Sequence, residues 1–331
     1  MKLYRVSILV AVLLAHGLAF SQKYTVTVVD GLPGATETYI GGFNARNQLL
    51  GSSRFSAGVR KSFLYENGTY IEFVSPGIET RSADLNDHGV VVGSFMDESE
   101  VWHAFIWTAE LGLRRLFPNA SVETTANAIN NHGDIVGMYD DRPFLLKQGK
   151  LIMLPTLYEY GYSVPSKLNN SGVIIGAERD QMTEFSVPVR WVNEEIELLS
   201  GGPAVRPSDI NESGQIAGSH FAFHIHTQYP VTWINSQLQV LPTFVGRGFA
   251  NGINSRGDIA GQALDRNWQS NTACIWVDGR FIPLQQFVNP SEWVLISASS
   301  IDDRGRITGY GWYQSAGNVR GFIMTPVDGR R

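Results

Sequence analysis

Histidines concentrated in one short segment are the residues of this chain best suited to bind a metal ion. The segment 219–229, SHFAFHIHTQY, contains His220, His224 and His226, three of the seven histidines in the chain. His224 and His226 are two positions apart, so on an extended segment they lie on the same side and could bind a transition metal. The sequence offers no third ligand for them. We therefore predict a polar loop here, with neither a metal nor a cofactor.

Acidic residues outside the strand-like segments are a second group that could take part in catalysis. Two carboxyl groups at a suitable separation are enough for glycoside hydrolysis. The candidates are Asp97, Glu98, Glu100, Asp140, Asp141, Asp180, Glu184 and Asp265. The sequence has no nucleophile elbow, phosphate-binding loop, zinc-protease motif or dinucleotide fingerprint. Cys274 lies in the apolar segment ACIW and is interpreted as a core residue. We therefore assign no catalytic residue and favour a protein that is not an enzyme.

Aromatic residues near the ends of strand-like segments form the third group. Exposed rings beside polar groups are suited to stacking on sugars or to contacting a protein partner, although packing is the alternative role for each ring. The predicted ligand-binding residues are Trp102, Tyr139, Trp268, Trp312 and Tyr313. Further rings lie in the longer links between segments, at Tyr158, Tyr160, Tyr162 and Trp293.

Two amides, a histidine and an aspartate crowd the stretch AINNHGDIVGMY (128–139), but this motif recurs seven times along the chain. Aligned on the residue that opens the turn, the copies begin at Asn44, Asn86, Asn130, Asn169, Asn211, Asn254 and Asp302. His88 and His132 occupy a position that Arg or Ser fills in the other copies. A catalytic or ligand-binding residue would not be exchanged so freely. We therefore interpret the repeated turn as scaffold.

Each fixed position of the repeat has a structural interpretation. The side chain of the opening Asn can accept a hydrogen bond from the backbone two residues on, which favours a turn. Three residues later stands Gly, or Asn47 in the first copy, so positive φ is predicted there and a tight hairpin follows. A second glycine closes the motif inside the next strand, where Gly indicates that another backbone lies close. A bulge near the turn glycine would be compatible with this pattern.

The residues that follow each turn predict the architecture. Each copy adds an aromatic strand-like segment and a short apolar one, giving four strands in about 43 residues, the scale of a propeller blade. The seventh copy lacks its outer strand, whereas residues 23–30, KYTVTVVD, form an extra alternating strand. We predict an all-β, seven-bladed propeller of four-stranded antiparallel blades, one domain over residues 22–331, closed by the N-terminal strand completing the last blade. A β-solenoid is the alternative.

These residues resemble those of the HAF-repeat extracellular proteins, which are named for a His-Ala-Phe tripeptide. The tripeptide is His103-Ala104-Phe105 in this chain, and other copies depart from it. The stretch AINNHGDIVG and the segments LPTL (154–157) and LPTF (241–244) are similar to the family as well. The resemblance covers nearly all of the chain after the N-terminal segment. It implies export and a repeat fold, and it assigns no activity.

The N-terminus indicates where the protein is located, and the charge balance limits which partners it can have. Lys2 and Arg5 precede a short apolar run that ends in small residues, which predicts a signal peptide over residues 1–21, cleaved near Ser21. The chain has 26 basic and 31 acidic residues and no basic stripe, so we expect neither nucleic acid nor an anionic membrane as partner. No other stretch is long and apolar enough to span a membrane.

Taken together, these patterns predict a secreted or periplasmic, monomeric binding propeller without enzymatic activity. Loops carry function on rigid scaffolds, and the longer links emerge on one face of the predicted ring. We expect that loop-rich face to recognise a glycan or an envelope protein. The alternative function is an extracellular polysaccharide hydrolase or lyase that uses two of the loop carboxylates as acid and base.

Overall fold

The computed structural model describes residues 24–327, except residues 57, 160, 180–185, 223–225 and 265–269. The predicted signal peptide, residues 1–21, lies outside this range, and export stays a prediction. Within the described part, 28 β-strands form seven four-stranded sheets, accompanied by a short 3₁₀ helix at Leu284–Phe287. In that part of the chain no helix is long and apolar enough to cross a membrane.

Each sheet is one blade, and its first strand is the innermost. The innermost strands contact one another in a closed cycle around the axis, which defines a ring. They are β2 (Glu37–Phe43), β6 (Glu79–Leu85), β10 (Thr124–Ile129), β14 (Tyr162–Leu168), β18 (Val205–Ile210), β22 (Gly248–Ile253) and β26 (Trp293–Ile301). The second strands are β3 (Leu49–Arg54), β7 (Val91–Met96), β11 (Ile135–Tyr139), β15 (Ile174–Arg179), β19 (Ile216–Ala222), β23 (Ile259–Leu264) and β27 (Ile307–Tyr313).

The outer half of each blade consists of a third strand and a short fourth strand. The third strands are β4 (Arg60–Glu66), β8 (Trp102–Thr108), β12 (Arg142–Lys147), β16 (Ser186–Val192), β20 (Thr227–Ile234), β24 (Asn271–Val277) and β28 (Asn318–Pro326). The fourth strands of blades 1 to 6 are β5 (Thr69–Glu72), β9 (Gly112–Arg115), β13 (Lys150–Met153), β17 (Glu195–Leu198), β21 (Gln237–Val240) and β25 (Arg280–Pro283). The fourth strand of blade 7 comes from the other end of the chain.

That strand is β1 (Tyr24–Val29), which pairs antiparallel with β28 from Tyr24 opposite Pro326 to Val29 opposite Gly321. The predicted ring closure is therefore confirmed. Side chains of β1 reach two blades, because Val28 packs against the core of blade 7 whereas Val29 is buried in the core of blade 1. Closure in this form leaves no unpaired edge between the first and last blades.

The hydrophobic core is divided among the spaces between adjacent blades. The cluster between blades 1 and 2, for example, joins Leu64 and Phe73 of one blade to Phe95 and Phe105 of the next. Three fully buried tryptophans on third strands also donate their indole N–H to backbone carbonyls of the preceding blade-to-blade link, at 2.6 to 2.9 Å. These tryptophans are Trp191, Trp233 and Trp276. Cys274 is buried in the same kind of space, as a core residue would be.

The repeated turns form a ring of hydrogen bonds on one face of the propeller. Within each turn the Asn Oδ1 accepts the backbone N–H two or four residues on, as the bonds from His132 and Asp134 to Asn130 illustrate. The Nδ2 group donates to the backbone carbonyl of the Asn or Asp that opens the next blade's turn, at 2.9 to 3.3 Å. Asp302 has no such donor. Instead, Arg306 binds both Asp302 and Asn47 of blade 1 and completes the ring.

The turn glycine and the closing glycine of the repeat have different structural roles. The turn position has positive φ in all seven copies, including 66° at Asn47, as predicted. The β-bulge is not at the turn. It lies in the innermost strand opposite the closing glycine, for example between Ala126 and Ala128 beside Gly137. A Cβ atom on Gly137 would lie 1.9 Å from the carbonyl oxygen of Thr125, so the predicted close backbone approach is confirmed.

We predict that Asn130→Ala destabilises the protein, because the substitution leaves the buried N–H of Asp134, the partly buried N–H of His132 and the carbonyl of Asn169 without their partner. Each lost bond to a buried group costs about 1 to 3 kcal/mol, and we expect a total of about 3 kcal/mol. Chemical denaturation followed by tryptophan fluorescence measures the change. The control is His132→Ser in the same turn, which copies the Ser of another repeat and should be neutral; equal stability of the two variants would contradict the prediction.

Candidate functional site

The axis of the ring holds two connected cavities. The first, here named the axial cavity, has a volume of about 470 Å³ and runs between the innermost strands. The second has a volume of about 460 Å³ and is surrounded by the repeated turns; we name it the Asn-turn mouth. Asp84, Lys167, Asp209 and Ser300 line both cavities, so this group lies where the two meet. A volume of this size accommodates a ligand of one or two sugar rings.

The bulge in each innermost strand determines which residues occur at this junction. The residue just after the bulge lies two positions before the residue that opens each turn. In the seven blades this residue is Gly42, Asp84, Ala128, Lys167, Asp209, Gly252 and Ser300, in chain order. Four of these are small and three are charged. Lys167 of blade 4 reaches past blade 3 to Asp84 of blade 2.

The three charged residues form one cluster. Lys167 Nζ lies 2.5 Å from Asp84 Oδ1, and 29% of the lysine side chain is exposed, towards the cavities. Asp84 Oδ2 also accepts the backbone N–H of Ile129 in blade 3 at 3.1 Å. Asp209 likewise accepts the N–H of Ile253 in blade 6, at 2.9 Å. Each carboxylate thus joins its own blade to the next one and lines both cavities.

Burial and charge act in opposite directions on the titration of this cluster. Burial raises the pKa of Asp209 to about 6, although the charge of Lys167 and the hydrogen bond from Ile253 oppose the shift. Burial would lower the pKa of Lys167, but the charges of Asp84 and Asp209 outweigh it, so that pKa is raised. Lys167 therefore stays an ammonium at neutral pH, whereas Asp209 changes its charge close to pH 6.

Part of the wall of the axial cavity in blade 1 is bare backbone, because Gly41 and Gly42 lie there. A Cβ atom at position 42 would have no neighbour within 4 Å, so the glycine leaves open space beside the charged cluster. Next to this wall, Tyr39 and Tyr310 meet edge to face with ring centroids 4.9 Å apart. Burial and a hydrogen bond to Glu37 raise the pKa of Tyr39 to about 12, which keeps its phenol protonated.

Two of the predicted ligand-binding rings pack against neighbours outside the axial cavity. The guanidinium group of Arg81 lies 4.3 Å from the ring centroid of Trp102. Tyr139 contacts Phe117 edge to face, with centroids 5.1 Å apart. Trp102 begins β8 in blade 2 and Tyr139 ends β11 in blade 3, and each is only partly exposed. Ligand binding by these two rings stays a prediction.

Two other predicted rings, Trp312 and Tyr313, lie at the end of the second strand of blade 7. Trp312 is 41% exposed and is in register with the exposed Val294, whereas Tyr313 packs against the buried Trp293 with centroids 4.7 Å apart. Trp268 and Tyr160 lie outside the described residues. Tyr158 and Tyr162 are both 37% exposed. The described members of the predicted set thus lie in blades 2, 3 and 7, and Trp312 is the most exposed of those that the structure describes.

The described members of the predicted acidic set lie away from the axial cavity. Asp97 accepts a 2.8 Å hydrogen bond from His103, which holds the pKa of that carboxyl below its usual value. Glu98 and Glu100 are exposed in the same loop. Asp140 and Asp141 form the two-residue turn between β11 and β12, with φ of 49° and 60°. The remaining candidates, Asp180, Glu184 and Asp265, lie outside the described residues.

The carboxylates that do line the axial cavity, Asp84 and Asp209, were missed in the sequence. One signal could have found them: two positions before the turn Asn, where four copies have a small residue, three have a charge. The predicted histidine group is only partly described, because His224 lies outside the described residues. Within the described part, no group of three or more His, Cys, Asp or Glu side chains is arranged to hold a metal ion.

Comparison with known proteins identifies the architecture. No family model matches the sequence, and no curated protein matches it. Among solved structures, the β-propeller domain of the Trilobed protease from Pyrococcus furiosus is similar, with a TM-score of 0.58 and 11% identity over 89% of this chain and 97% of that one. Its propeller is described as having an open velcro topology, whereas here β1 closes the ring.

Two further structures give the same result. The WD40 repeats of RRP9 have a TM-score of 0.54 and 10% identity, over 91% of this chain and 97% of that one. The extracellular domain of a putative one-component system from B. thetaiotaomicron has a TM-score of 0.55 and 8% identity, over 90% of this chain and 39% of that one. At these identities the likeness establishes a β-propeller and leaves function to the site.

Proposed function

We propose that the protein is an exported binding propeller that takes a hydroxyl-rich ligand, the end of an extracellular glycan, into the axial cavity. One observation carries the proposal: a cavity of about 470 Å³ whose wall combines open space at Gly42 with charged, amide and aromatic groups. The predicted signal peptide, with Lys2 and Arg5 before its apolar run, supports export.

The chemistry of the wall suits a sugar. Hydroxyl groups both donate and accept hydrogen bonds, and the axial cavity offers acceptors at Asp209 and hydroxyl or amide groups at Ser299, Ser300 and Asn251. Tyr39 adds a ring at the side of the cavity, and the faces of sugar rings pack on aromatic rings. Small polar groups with one aromatic wall are typical of pockets in which a few convergent contacts fix the orientation of a ligand.

A binding role agrees with the way in which both carboxylates are held. Asp84 forms an ion pair with Lys167, and both Asp84 and Asp209 accept backbone N–H groups of neighbouring blades. These contacts fix their positions before a ligand arrives, which reduces the entropy lost on binding. Hydrolysis or elimination by these two groups is the alternative, and the test below includes its signature.

We predict that Gly42→Leu abolishes glycan binding, because the new side chain occupies the open space beside the cluster. The purified protein is titrated by calorimetry with a panel of oligosaccharides released from extracellular polysaccharides. For a ligand in the axial cavity we expect the affinity to fall by about a hundredfold, roughly 3 kcal/mol. The melting temperature should stay close to that of the unmodified protein, because the Cβ atom meets no neighbour.

The matched control is Trp312→Ala, which removes the most exposed predicted ring among those that the structure describes and leaves the axial cavity intact. Its affinity should stay within about twofold of the unmodified protein. Loss of binding in Trp312→Ala but not in Gly42→Leu would refute the cavity and move the site to the loop-rich face. Appearance of soluble products from any oligosaccharide would refute a pure binding function in favour of a hydrolase or lyase.

A further inference from the structure

Both axial cavities contain more acidic than basic side chains. The axial cavity has two carboxylates, Asp84 and Asp209, and one ammonium group, Lys167. The Asn-turn mouth has six carboxylates and three basic groups along its wall. The six are Asp84, Asp87, Asp209, Glu212, Asp302 and Asp303. Clefts lined by one sign of charge between walls of low dielectric concentrate the opposite charge, so the potential along the axis favours cations.

The basic groups near the junction of the cavities already have partners within the protein. Lys167 forms its ion pair with Asp84, and Arg306 binds Asp302 and Asn47. Asp209, by contrast, accepts two backbone N–H groups, from Ile210 and Ile253, and has no ion-pair partner among the described residues. A carboxylate in this position is incompletely compensated, and a ligand that brings a positive charge would offset the cost of its burial.

We propose that the ligand of the axial cavity carries a free amino group, as in an oligosaccharide of unacylated amino sugars, and that its ammonium binds Asp209. This inference rests on the proposed function and specifies its ligand. Neutral sugars of the same shape lack the charge. Uronic acids carry a negative charge and would be repelled by the excess of carboxylates.

The charge of Asp209 makes the selectivity depend on pH. The facing charged groups are Lys167 on β14 and Asp84 on β6, whereas β22 and β26 present the uncharged Asn251 and Ser300. With a pKa of about 6, Asp209 is largely protonated at low pH and ionised above neutrality. An amine ligand that remains protonated should therefore bind more tightly as the pH rises through 6, while an uncharged ligand should not respond to Asp209.

The test compares three probes of equal length by calorimetry: a glucosamine trimer, the N-acetylated form of that trimer, and a galacturonate trimer. At about pH 7 we expect the amine form to bind at least tenfold more tightly than the acetylated form, a difference of roughly 1.4 kcal/mol, and the uronate to bind most weakly. At about pH 5 the preference for the amine should shrink several-fold, because Asp209 is protonated.

Asp209→Asn supplies the decisive variant, because it keeps the shape and a carbonyl acceptor for the N–H of Ile253 while removing the charge. It should lose the amine preference and its pH response while retaining affinity for the acetylated trimer. The control is Glu98→Gln, which removes an exposed carboxylate outside the cavities. The pH profile of the unmodified protein provides the same comparison if Asp209→Asn fails to fold.

The outcomes separate this inference from the proposed function. Equal affinity for the amine and acetylated trimers, with both lost in Gly42→Leu, overturns the amine selectivity and leaves glycan binding in the cavity intact. An amine preference that survives Asp209→Asn also overturns the assignment to that carboxylate. Absence of binding to every oligosaccharide of the panel overturns the proposed function itself.

Discussion

Val29→Asp is expected to lower the free energy of unfolding by about 4 kcal/mol or more, the largest effect of any single change in β1. Val29 is completely buried and lies in the core of blade 1 with Ile40 and Phe63, although its strand belongs to blade 7. A carboxylate at this position would be buried without a partner. The substitution also removes the contact by which β1 fixes the first blade against the last. Guanidinium denaturation followed by tryptophan fluorescence measures the change.

The matched control is Thr27→Asp in the same strand. Thr27 is exposed, so this change places the same charge in the same hydrogen-bonded pair of strands without burying it. We expect its stability to differ from the unmodified protein by less than about 1 kcal/mol. If both variants were equally stable, the role of β1 in joining blades 1 and 7 would be wrong.

Lys167→Met is expected to lower the free energy of unfolding by about 3 to 5 kcal/mol at neutral pH, because it leaves two carboxylates near the axis without a cation. Asp84 loses its 2.5 Å ion pair, and Asp209 loses the opposing charge that restrains its pKa. The pKa of Asp209 in the folded variant should then lie further above its value in the unfolded chain. A group of this kind destabilises the fold above its folded pKa and ceases to do so as the pH falls and the carboxyl is protonated.

The deficit of Lys167→Met should therefore be greatest near neutral pH and shrink towards about pH 4. Denaturation curves recorded across this range measure it. The double variant Lys167→Met with Asp84→Asn removes one of the two stranded carboxylates and should recover much of the stability. If it were no more stable than the single variant, loss of the lysine stem would be the cause and the electrostatic explanation would be wrong.

The fold could be predicted because every blade repeats the same local chemistry. Asn47 replaces the turn glycine in the first copy and adopts the same left-handed conformation. Because Asn, like Gly, tolerates that conformation, the first copy could be aligned with the others at this position. The alternating strand at residues 24–29 had no partner in the first blade, which predicted the closure correctly. The bulge was expected near the turn glycine and lies instead in the innermost strand opposite the closing glycine, where that glycine comes close to a carbonyl of the innermost strand.

The candidate site was harder to predict from the sequence than the fold, because it depends on which blades face each other. Asp84 and Lys167 are 83 positions apart and meet across the intervening blade 3. In the sequence of each innermost strand, the charged residue cannot be distinguished from an ordinary solvent-facing residue. For the predicted aromatic residues, the position of each ring could be read from the sequence, but not the residues that it contacts. Trp102 and Tyr139 lie at strand ends, but partners from other strands, such as Arg81 for Trp102, could not be inferred from spacing.

The pairing of β1 with β28 also determines how the ring responds to mechanical load. Tyr24 at the start of β1 lies opposite Pro326 at the end of β28, so both ends of the described chain emerge at the same end of this strand pair. Tension applied between them acts on adjacent hydrogen bonds and peels the two strands apart one pair at a time, rather than sliding the strands past each other. Forces transmitted through any other pair of blades cross covalent links. The seam is consequently the place where the ring would open under tension.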